Sequence, residues 1–247
     1  MGIELLLVGV LVGVISGFFG VGGGTILVPV LLYFGFDIKE AIGISIVQMV
    51  FSSLFGSYLN YKKGTLKISS TIFFGLGGFV GGLASGYIVH TLSSSTLTWV
   101  LLGVVLFAIY RFFNAPALSH KEPIQNRALF FAIGIMIGMF ATSLGIGGAI
   151  LLTPIMVGFL HYDIKSAVST SLFFIVFSSI AGLISLGSYG YIDYQHGIMI
   201  GVASLIGVYI GIMIAHKTEA KKHKNMILGL NFIILALILN KLLMGNS

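Results

Sequence analysis

The stretch GFFGVGGGTILVPVLL at residues 17–32 and the stretch TSLGIGGAILLTPIMV at residues 142–157 share one pattern of glycines and a proline in an apolar context. A constant shift of 125 residues superposes five positions of the two copies: Gly20, Gly22, Gly23, Leu27 and Pro29 fall on Gly145, Gly147, Gly148, Leu152 and Pro154. Duplicated membrane segments that are interrupted at corresponding places are typical of secondary transporters, whose site lies at the breaks. The pair therefore points to a transporter with internal repeats.

The composition is that of a membrane protein. Hydrophobic residues make up 57% of the chain, charged residues only 8%, and the mean hydropathy is +1.09. A soluble domain carries about 25% charged residues. Stretches long enough to span a bilayer, roughly 20 residues each, occupy about residues 38–61, 68–91, 97–113, 167–186, 197–215 and 226–243. Two longer stretches, residues 3–34 and 128–160, carry the glycine motifs.

Several other classes of protein are excluded or disfavoured. The chain has no cysteine, so disulfides, thiolate metal sites and iron–sulfur clusters are excluded. Its net charge of +6 comes from basic residues in short loops between spans, where they set topology, so no nucleic-acid partner is needed. The N-terminus lacks the basic region and cleavage site of a signal peptide, and we expect Ile3 and the residues after it to stay in the mature protein.

The repeat continues beyond the motif once the shift becomes 126 residues. Asp37–Lys39 then aligns with Asp163–Lys165. Other aligned pairs are Ser45 and Ser171, Ser52 and Ser178, Ser53 and Ser179, His90 and His216, and Gly103 and Gly229. We therefore predict a first membrane repeat at residues 1–113, a cytoplasmic linker at residues 114–126 and a second membrane repeat at residues 127–247.

The positions of lysine and arginine favour hairpins over simple spans. If all eight apolar stretches crossed once, the loops on the two sides would hold 7 and 6 basic residues. If residues 3–34 and 128–160 each return to the side they entered from, the split becomes 11 to 2, as the positive-inside rule requires. We therefore predict an all-α polytopic membrane protein of two inverted repeats, each a glycine-broken helical hairpin plus three transmembrane helices. The basic side is then cytoplasmic, and both termini are extracytoplasmic.

This topology brings both hairpin tips to the bilayer midplane. Each tip precedes a short helix, starting near Thr25 and Ile150, whose free N–H groups and positive dipole end favour an anion. No Lys, Arg, Asp or Glu lies in the middle of a span, and Gln48, aligned with Phe174, is the only deep amide. We predict that backbone N–H groups and polar side chains hold the substrate. The candidate substrate-binding residues are Gly20, Gly22, Gly23, Gly24, Thr25, Ser45, Gln48, Thr142, Ser143, Gly145, Gly147, Gly148 and Ser171.

Structural roles are the alternative interpretation of several of these features. Glycines four residues apart, such as Gly77 and Gly81, serve close helix packing, and serines inside helices bond back to the carbonyl one turn earlier. Pro29 and Pro154 are predicted to kink or start the second arm of each hairpin, a structural role. The two aligned histidines lie at span ends and suit the membrane interface. The basic run Lys221–Lys224 is interpreted as a topology determinant.

The motif G-x-x-G-x-G-G-G-x-x-x-x-P at residues 17–29, its degenerate second copy and the length of 247 residues resemble the TauE/SafE sulfite/sulfonate exporter family, also called the toluene sulfonate uptake permeases. The resemblance covers nearly the whole chain. It implies a multi-pass plasma-membrane carrier that exports or imports small sulfur-containing anions such as sulfite or sulfonates. The second copy departs from the motif, with Ala149 opposite Gly24 and Ile150 opposite Thr25.

The residues and the resemblance together predict a secondary transporter that moves such an anion across the lipid bilayer by alternating access. It is not an enzyme and needs no cofactor. No ionisable residue at mid-depth offers a proton relay, so coupling to H⁺ or to Na⁺ stays open. The alternatives are an anion channel, a non-transporting assembly factor and an intramembrane hydrolase, the last disfavoured because no nucleophile and base meet at depth. Direction, rocking or elevator movement and oligomeric state are left undecided.

Overall fold

The computed structural model describes residues 2–114 and 122–244, and every regular element in them is an α-helix. The helices are α1 Gly2–Phe19, α2 Gly24–Tyr33, α3 Ile38–Lys62, α4 Ile68–Gly82, α5 Ser85–Thr91, α6 Ser94–Asn114, α7 Arg127–Ser143, α8 Ala149–Gly158, α9 Ile164–Ser188, α10 Tyr194–Lys217 and α11 Ala220–Met244. Seven helical segments in this part of the chain are long and apolar enough to cross a membrane. The predicted all-α polytopic fold is confirmed. Residues 115–121 of the predicted linker lie outside the described residues.

Helices α3 and α9 begin in the same way in the two halves. Asp37 and Asp163 precede them with the same backbone angles, φ −67° and ψ 154°. The Asp37 carboxylate accepts a 2.9 Å hydrogen bond from the N–H of Lys39, and the Asp163 carboxylate accepts one of 2.9 Å from the N–H of Ser166. Such caps satisfy N–H groups that the helix itself leaves without acceptors. The repeated Asp-Ile-Lys sequence is therefore a repeated helix start.

Both glycine motifs interrupt a helix. Helix α1 ends at Phe19 and α2 begins at Gly24, while α7 ends at Ser143 and α8 begins at Ala149. The second arms, α2 and α8, have 10 residues each, too few to span a bilayer. Each arm carries its motif proline at its sixth position. The prolines therefore lie inside the second arms and do not start them.

Contacts between loops define the two ends of the helix bundle. At one end, His90 Nδ1 lies 3.1 Å from the Tyr191 hydroxyl, and Lys39 Nζ lies 5.4 Å from the centroid of the Tyr191 ring. At the other end, His216 Nε2 lies 3.2 Å from Asn60 Oδ1. We call this second end the basic end and the first the opposite end. The helix directions place at the basic end Lys62, Lys63, Lys67, Arg111, Arg127, Lys165, Lys217, Lys221, Lys222 and Lys224.

Glycines let α1 lie against α10 and α7 lie against α4. A Cβ on Gly13 would lie 2.8 Å from Ser204 Cα, and one on Gly17 would lie 2.9 Å from Val208 Cα. Both distances are shorter than a side chain permits, so small residues are needed for this approach. The contacts advance together along α1 and α10, so these helices are parallel neighbours. The same progression relates α7 to α4, where Gly77 faces the α7 backbone.

The span predicted at residues 68–91 is two helices, α4 and α5. Ser185 on α9 bridges the break between them. Its hydroxyl donates a 2.6 Å hydrogen bond to the carbonyl of Leu83 and accepts one of 2.9 Å from the N–H of Gly86. The break therefore depends on a contact with a helix about 100 residues further along the chain, which local hydropathy does not reveal.

Candidate functional site

The two hairpin tips, residues 20–24 (tip 1) and residues 144–148 (tip 2), are in direct contact. Ser45 on α3 donates a 2.7 Å hydrogen bond to the carbonyl of Gly145. Thr25, at the start of α2, donates one of 3.3 Å to the carbonyl of the next residue in tip 2. All these side chains and tip residues are buried. The structure thus brings the two predicted tips together in the buried interior.

The tips need glycine for two different reasons. Six tip glycines have φ between 67° and 87°, a conformation that residues with a side chain rarely adopt. They are Gly20, Gly22, Gly23, Gly145, Gly147 and Gly148. Gly24 lies in α2, but a Cβ there would lie 2.5 Å from Ser45 Oγ and closer still to the carbonyl oxygen of Gly145. Six positions therefore require the glycine backbone, and the seventh requires the absence of a side chain.

Helices α2 and α8 begin at the tips with N–H groups that the helix itself does not pair. The carbonyl of Gly23 accepts hydrogen bonds of 3.0 and 3.1 Å from two N–H groups of α2, and that of Gly148 accepts bonds of 2.8 and 3.0 Å from two N–H groups of α8. The N–H groups before these have no acceptor within the helix. Neither cap residue supplies one from a side chain. Both helix starts can therefore offer donors and a positive dipole end to an anion.

Gln48 lies against tip 1 with its amide unpaired. The side chain is fully buried, and neither Oε1 nor Nε2 has a hydrogen-bond partner among the described residues. A Cβ on Gly23 would lie 2.7 Å from Oε1 and 2.8 Å from Nε2. At tip 2 the ring of Phe174 takes this place, 2.5 Å from the corresponding position on Gly148. A polar side chain therefore faces tip 1, and an apolar one faces tip 2.

The remaining predicted hydroxyls are used differently. Ser143 donates a 2.6 Å hydrogen bond to the carbonyl one turn earlier in α7. Ser171 pairs with Thr153 of α8 at 2.8 Å. Both serine hydroxyls therefore form their hydrogen bonds within the second half of the chain. The Thr142 hydroxyl is buried, and in the described part of the chain it has no partner. Gln48 and Thr142 are thus the predicted side chains with polar atoms left to bind a ligand.

Two apolar residues between the tips were not among the predicted site residues. Met49 and Ile175 both lie so close to Gly22 and to Gly147 that a Cβ on either glycine would come within 3.4 Å of both side chains. The two residues are related by the shift of 126. They directly follow Gln48 and its repeat partner, Phe174, so the alignment of the repeats could have identified them as a matched pair. This matched pair packs between the tips.

Comparison with known proteins identifies the family. The model of the family described as Sulfite exporter TauE/SafE matches residues 5–238. The chain belongs to the TauE/SafE family. It is similar to a probable membrane transporter protein of Methanocaldococcus jannaschii, 28% identical over 239 residues that cover 88% of this chain and 87% of the relative. It is also similar to the probable membrane transporter proteins YdhB (27% identical, covering 84% and 87%) and YunE (24% identical, covering 88% and 89%) of Bacillus subtilis.

Membership of the TauE/SafE family makes this chain a membrane transporter and not an enzyme.

One imidazole of this transporter reaches the first hairpin from the basic end. His223 is 1% exposed, and its Nε2 lies 2.8 Å from the carbonyl oxygen of Phe18 in the last turn of α1. From the sequence, the run Lys221–Lys224 is interpreted as a topology determinant. This contact joins residues 205 positions apart, so the pattern of charges did not predict it.

Proposed function

We propose that this TauE/SafE transporter moves a small sulfur-containing anion, such as sulfite or a sulfonate, and holds it between the hairpin tips. The observation that carries the proposal is the unpaired, fully buried amide of Gln48 beside tip 1. A buried polar group without a partner requires an explanation, such as a missing ligand or water. The amide N–H₂, the Thr142 hydroxyl and the first N–H groups of α2 are neutral donors suited to an oxyanion. The sulfur chemistry comes from the name of the family.

The two halves are inverted in this proposal. The hairpin of residues 2–33 enters from the opposite end, because α1 runs parallel to α10, and the hairpin of residues 127–158 enters from the basic end, because α7 runs parallel to α4. The excess of Lys and Arg at the basic end favours a cytoplasmic location for that end. Both termini then lie outside the plasma membrane, and the linker at residues 114–126 is cytoplasmic.

Alternating access requires the tips to separate. The hydrogen bonds from Ser45 and Thr25 to tip 2 join the two halves at the centre of the molecule. Any movement that opens a path to the site, by rocking or by sliding of one hairpin, breaks them. Met49 and Ile175 must part in the same movement, because they pack against both tips. Binding of the anion would replace the lost hydrogen bonds with bonds to the ligand.

Counterflow in proteoliposomes tests the proposed function. The panel contains sulfite, sulfate, thiosulfate, taurine, sulfoacetate and a carboxylate control, each with and without imposed proton and sodium gradients. We expect saturable exchange of at least one sulfur anion, and a loss of about 30-fold in kcat/KM for Gln48→Leu, because the anion then loses a buried donor. Ser85→Ala is the matched control, since the Ser85 hydroxyl is also buried without a partner among the described residues but lies on α5.

The outcomes separate the alternatives. Flux that neither saturates nor shows counterflow would indicate a channel. No exchange of any anion under either gradient would refute the proposal, and so would equal activity of Gln48→Leu and Ser85→Ala.

Cysteine labelling tests the inverted topology. The chain contains no cysteine, so a single introduced thiol reports its own side of the membrane. Lys39→Cys at the opposite end should react with an impermeant reagent added outside intact cells. Lys165→Cys, the aligned position in the second repeat, should react only after the inside is exposed. If both positions label from the same side, the inverted arrangement is wrong.

A further inference from the structure

A narrow cavity opens at the basic end beside the first hairpin. Its interior has a volume of only about 10 Å³, room for about one water molecule, and about 250 Å³ is enclosed when the open mouth is counted. Lys165, His216 and His223 line it together with Asn60 and Ser169. No carboxylate is among the described residues that line this cavity. The cavity therefore brings the ammonium group of Lys165 together with several hydrogen-bonding side chains, with no acidic group among the described residues that line it.

The basic side chains of the cavity are fixed by hydrogen bonds that leave donors unused. Lys165 Nζ donates a 3.0 Å hydrogen bond to the carbonyl of His216, one of the three bonds that an ammonium can donate. His216 Nε2 lies 3.2 Å from Asn60 Oδ1. The lysine is thus held at the cavity by one contact and can still donate two bonds to an anion.

His223 adds a second, independent feature. Its Nε2 faces a carbonyl oxygen, which can only accept, so Nε2 carries the proton in the Phe18 hydrogen bond. Its Nδ1 is buried and has no partner in the described part of the chain. This atom can accept a hydrogen bond from a protonated oxyanion or from water. A buried side chain of the cavity therefore has unsatisfied bonding capacity, as does Gln48 at the tips.

The cavity leads to tip 1. Val168 lines it, and a Cβ on Gly20 of tip 1 would lie 2.6 Å from Val168 Cγ1. Gly17, in the last turn of α1, also lines it. A ligand in the cavity is therefore separated from the tip by the thickness of one side chain.

The same pair of residue types recurs at the opposite end. The shift of 126 that aligns the repeats places Lys39 on Lys165 and His90 on His216. Lys39 and His90 meet at Tyr191, as described above. Each repeat therefore sends one lysine, from the first turn of a helix, and one histidine to the same end of the bundle. Topology alone does not require the lysine and the histidine of one repeat to lie close together.

We propose that Lys165, His216 and His223 form an anion-docking site at the open mouth of this cavity, where a small oxyanion binds before it passes to the hairpin tips. The inference rests on the proposed transport of an anion and adds the site of its entry. Its function is to raise the local concentration of the anion beside a tip that has no charged side chain of its own.

The test measures the electrostatic potential in the cavity without transport. Ser169→Cys places a thiol in the cavity of a chain that has no other cysteine. The purified full-length protein is treated with the anionic 2-sulfonatoethyl and the cationic 2-trimethylammonioethyl methanethiosulfonates. In each reaction the thiolate forms a disulfide with the reagent, and methanesulfinate leaves. The ratio of the two rates cancels any change in the thiol's own ionisation.

We expect Lys165→Gln to lower the ratio of anionic to cationic rate about tenfold, the effect of removing a unit charge about 7 Å away from oppositely charged reagents. Lys165→Arg should keep the ratio. Lys217→Gln is the matched control, because it removes the same charge from an exposed position outside the cavity, and it should change the ratio less than twofold.

Equal effects of Lys165→Gln and Lys217→Gln would overturn the proposal, and so would a thiol at position 169 that neither reagent reaches. The ratio of labelling rates does not depend on transport. A negative counterflow result would therefore refute the proposed function and leave this ratio unchanged. If both hold, Lys165→Gln should also raise KM several-fold for anion supplied at the basic end while kcat stays within twofold.

Discussion

A single methyl group at Gly24 should separate the hairpin tips. A Cβ there would lie 2.5 Å from Ser45 Oγ, 2.9 Å from Met49 Sδ and closer still to the carbonyl oxygen of Gly145. Ordinary Cβ contacts begin at 3.4 Å, so the neighbours must retreat by about 1 Å or more. The two side chains can rotate, but the Gly145 oxygen belongs to the backbone of tip 2. In Gly24→Ala the tips themselves must therefore move apart.

The expected magnitude follows from two losses. Overpacking of a well-packed core costs about 1–3 kcal/mol, and a stretched Ser45–Gly145 hydrogen bond costs about 1 kcal/mol more. The free energy of unfolding should thus fall by about 2–4 kcal/mol, which lowers the thermal midpoint by at least about 4 °C on the scale of soluble domains of this size. Transport should fall by about 100-fold, because a displacement of about 1 Å has that effect at a positioned site.

Two assays test this prediction. The first is thermal unfolding of the detergent-solubilised protein, monitored by the fluorescence of its single tryptophan, Trp99. The second is counterflow in proteoliposomes. Gly103→Ala and Gly229→Ala are matched controls, since these aligned glycines lie in helices with open space around them and alanine is favoured in helices. Both controls should keep the midpoint and the transport rate. If Gly24→Ala behaves as they do, the tips are not in the contact described here.

Three further substitutions test other contacts by thermal unfolding. Ser185→Ala should lower the free energy of unfolding by about 1–3 kcal/mol, because it leaves the buried N–H of Gly86 without its acceptor. Burial raises the pKa of Asp193, but hydrogen bonds from the His196 side chain and backbone outweigh it and hold that pKa below its ordinary value. The carboxylate therefore stabilises the fold above its ordinary pKa, and below about pH 4 the native protein should lose this stability while Asp193→Asn shows a flatter pH profile. His161 has a φ of 63°, which costs a residue other than glycine about 1 kcal/mol. His161→Gly should therefore raise the thermal midpoint by about 2–4 °C. A lower midpoint would show that the imidazole makes a stabilising contact.

The features that could be predicted are those determined locally or by repetition. Apolar length indicates the helices, and the positions of Lys and Arg distinguish a hairpin from a span. The tip glycines were predicted because the same spacing occurs twice, and six of them have the positive φ that explains it. The repeated caps at Asp37 and Asp163 follow the same logic. Each of these features can be predicted from a short segment of the sequence.

The features that could not be predicted depend on contacts between distant segments. Ser185 bridges the break between α4 and α5, and His223 is bonded to the last turn of α1. The hydrogen bond from Ser45 to tip 2 joins residues 100 positions apart. Hydropathy describes the depth of a residue only to within a few residues, whereas a hydrogen bond needs a fraction of an ångström. Family resemblance and spacing therefore identified the tips without their partners.

The two tips are alike in backbone and different in side chains, and this difference bears on mechanism. Gln48 faces tip 1 where Phe174 faces tip 2, and Ser45 bonds across to tip 2 while Ser171 bonds within its own half. A symmetric pair of sites would need the same donors twice. Polar donors at one tip and an apolar ring at the other instead favour a single anion held at the start of α2. Tip 2 would then exclude water from that site, and its departure would expose the anion.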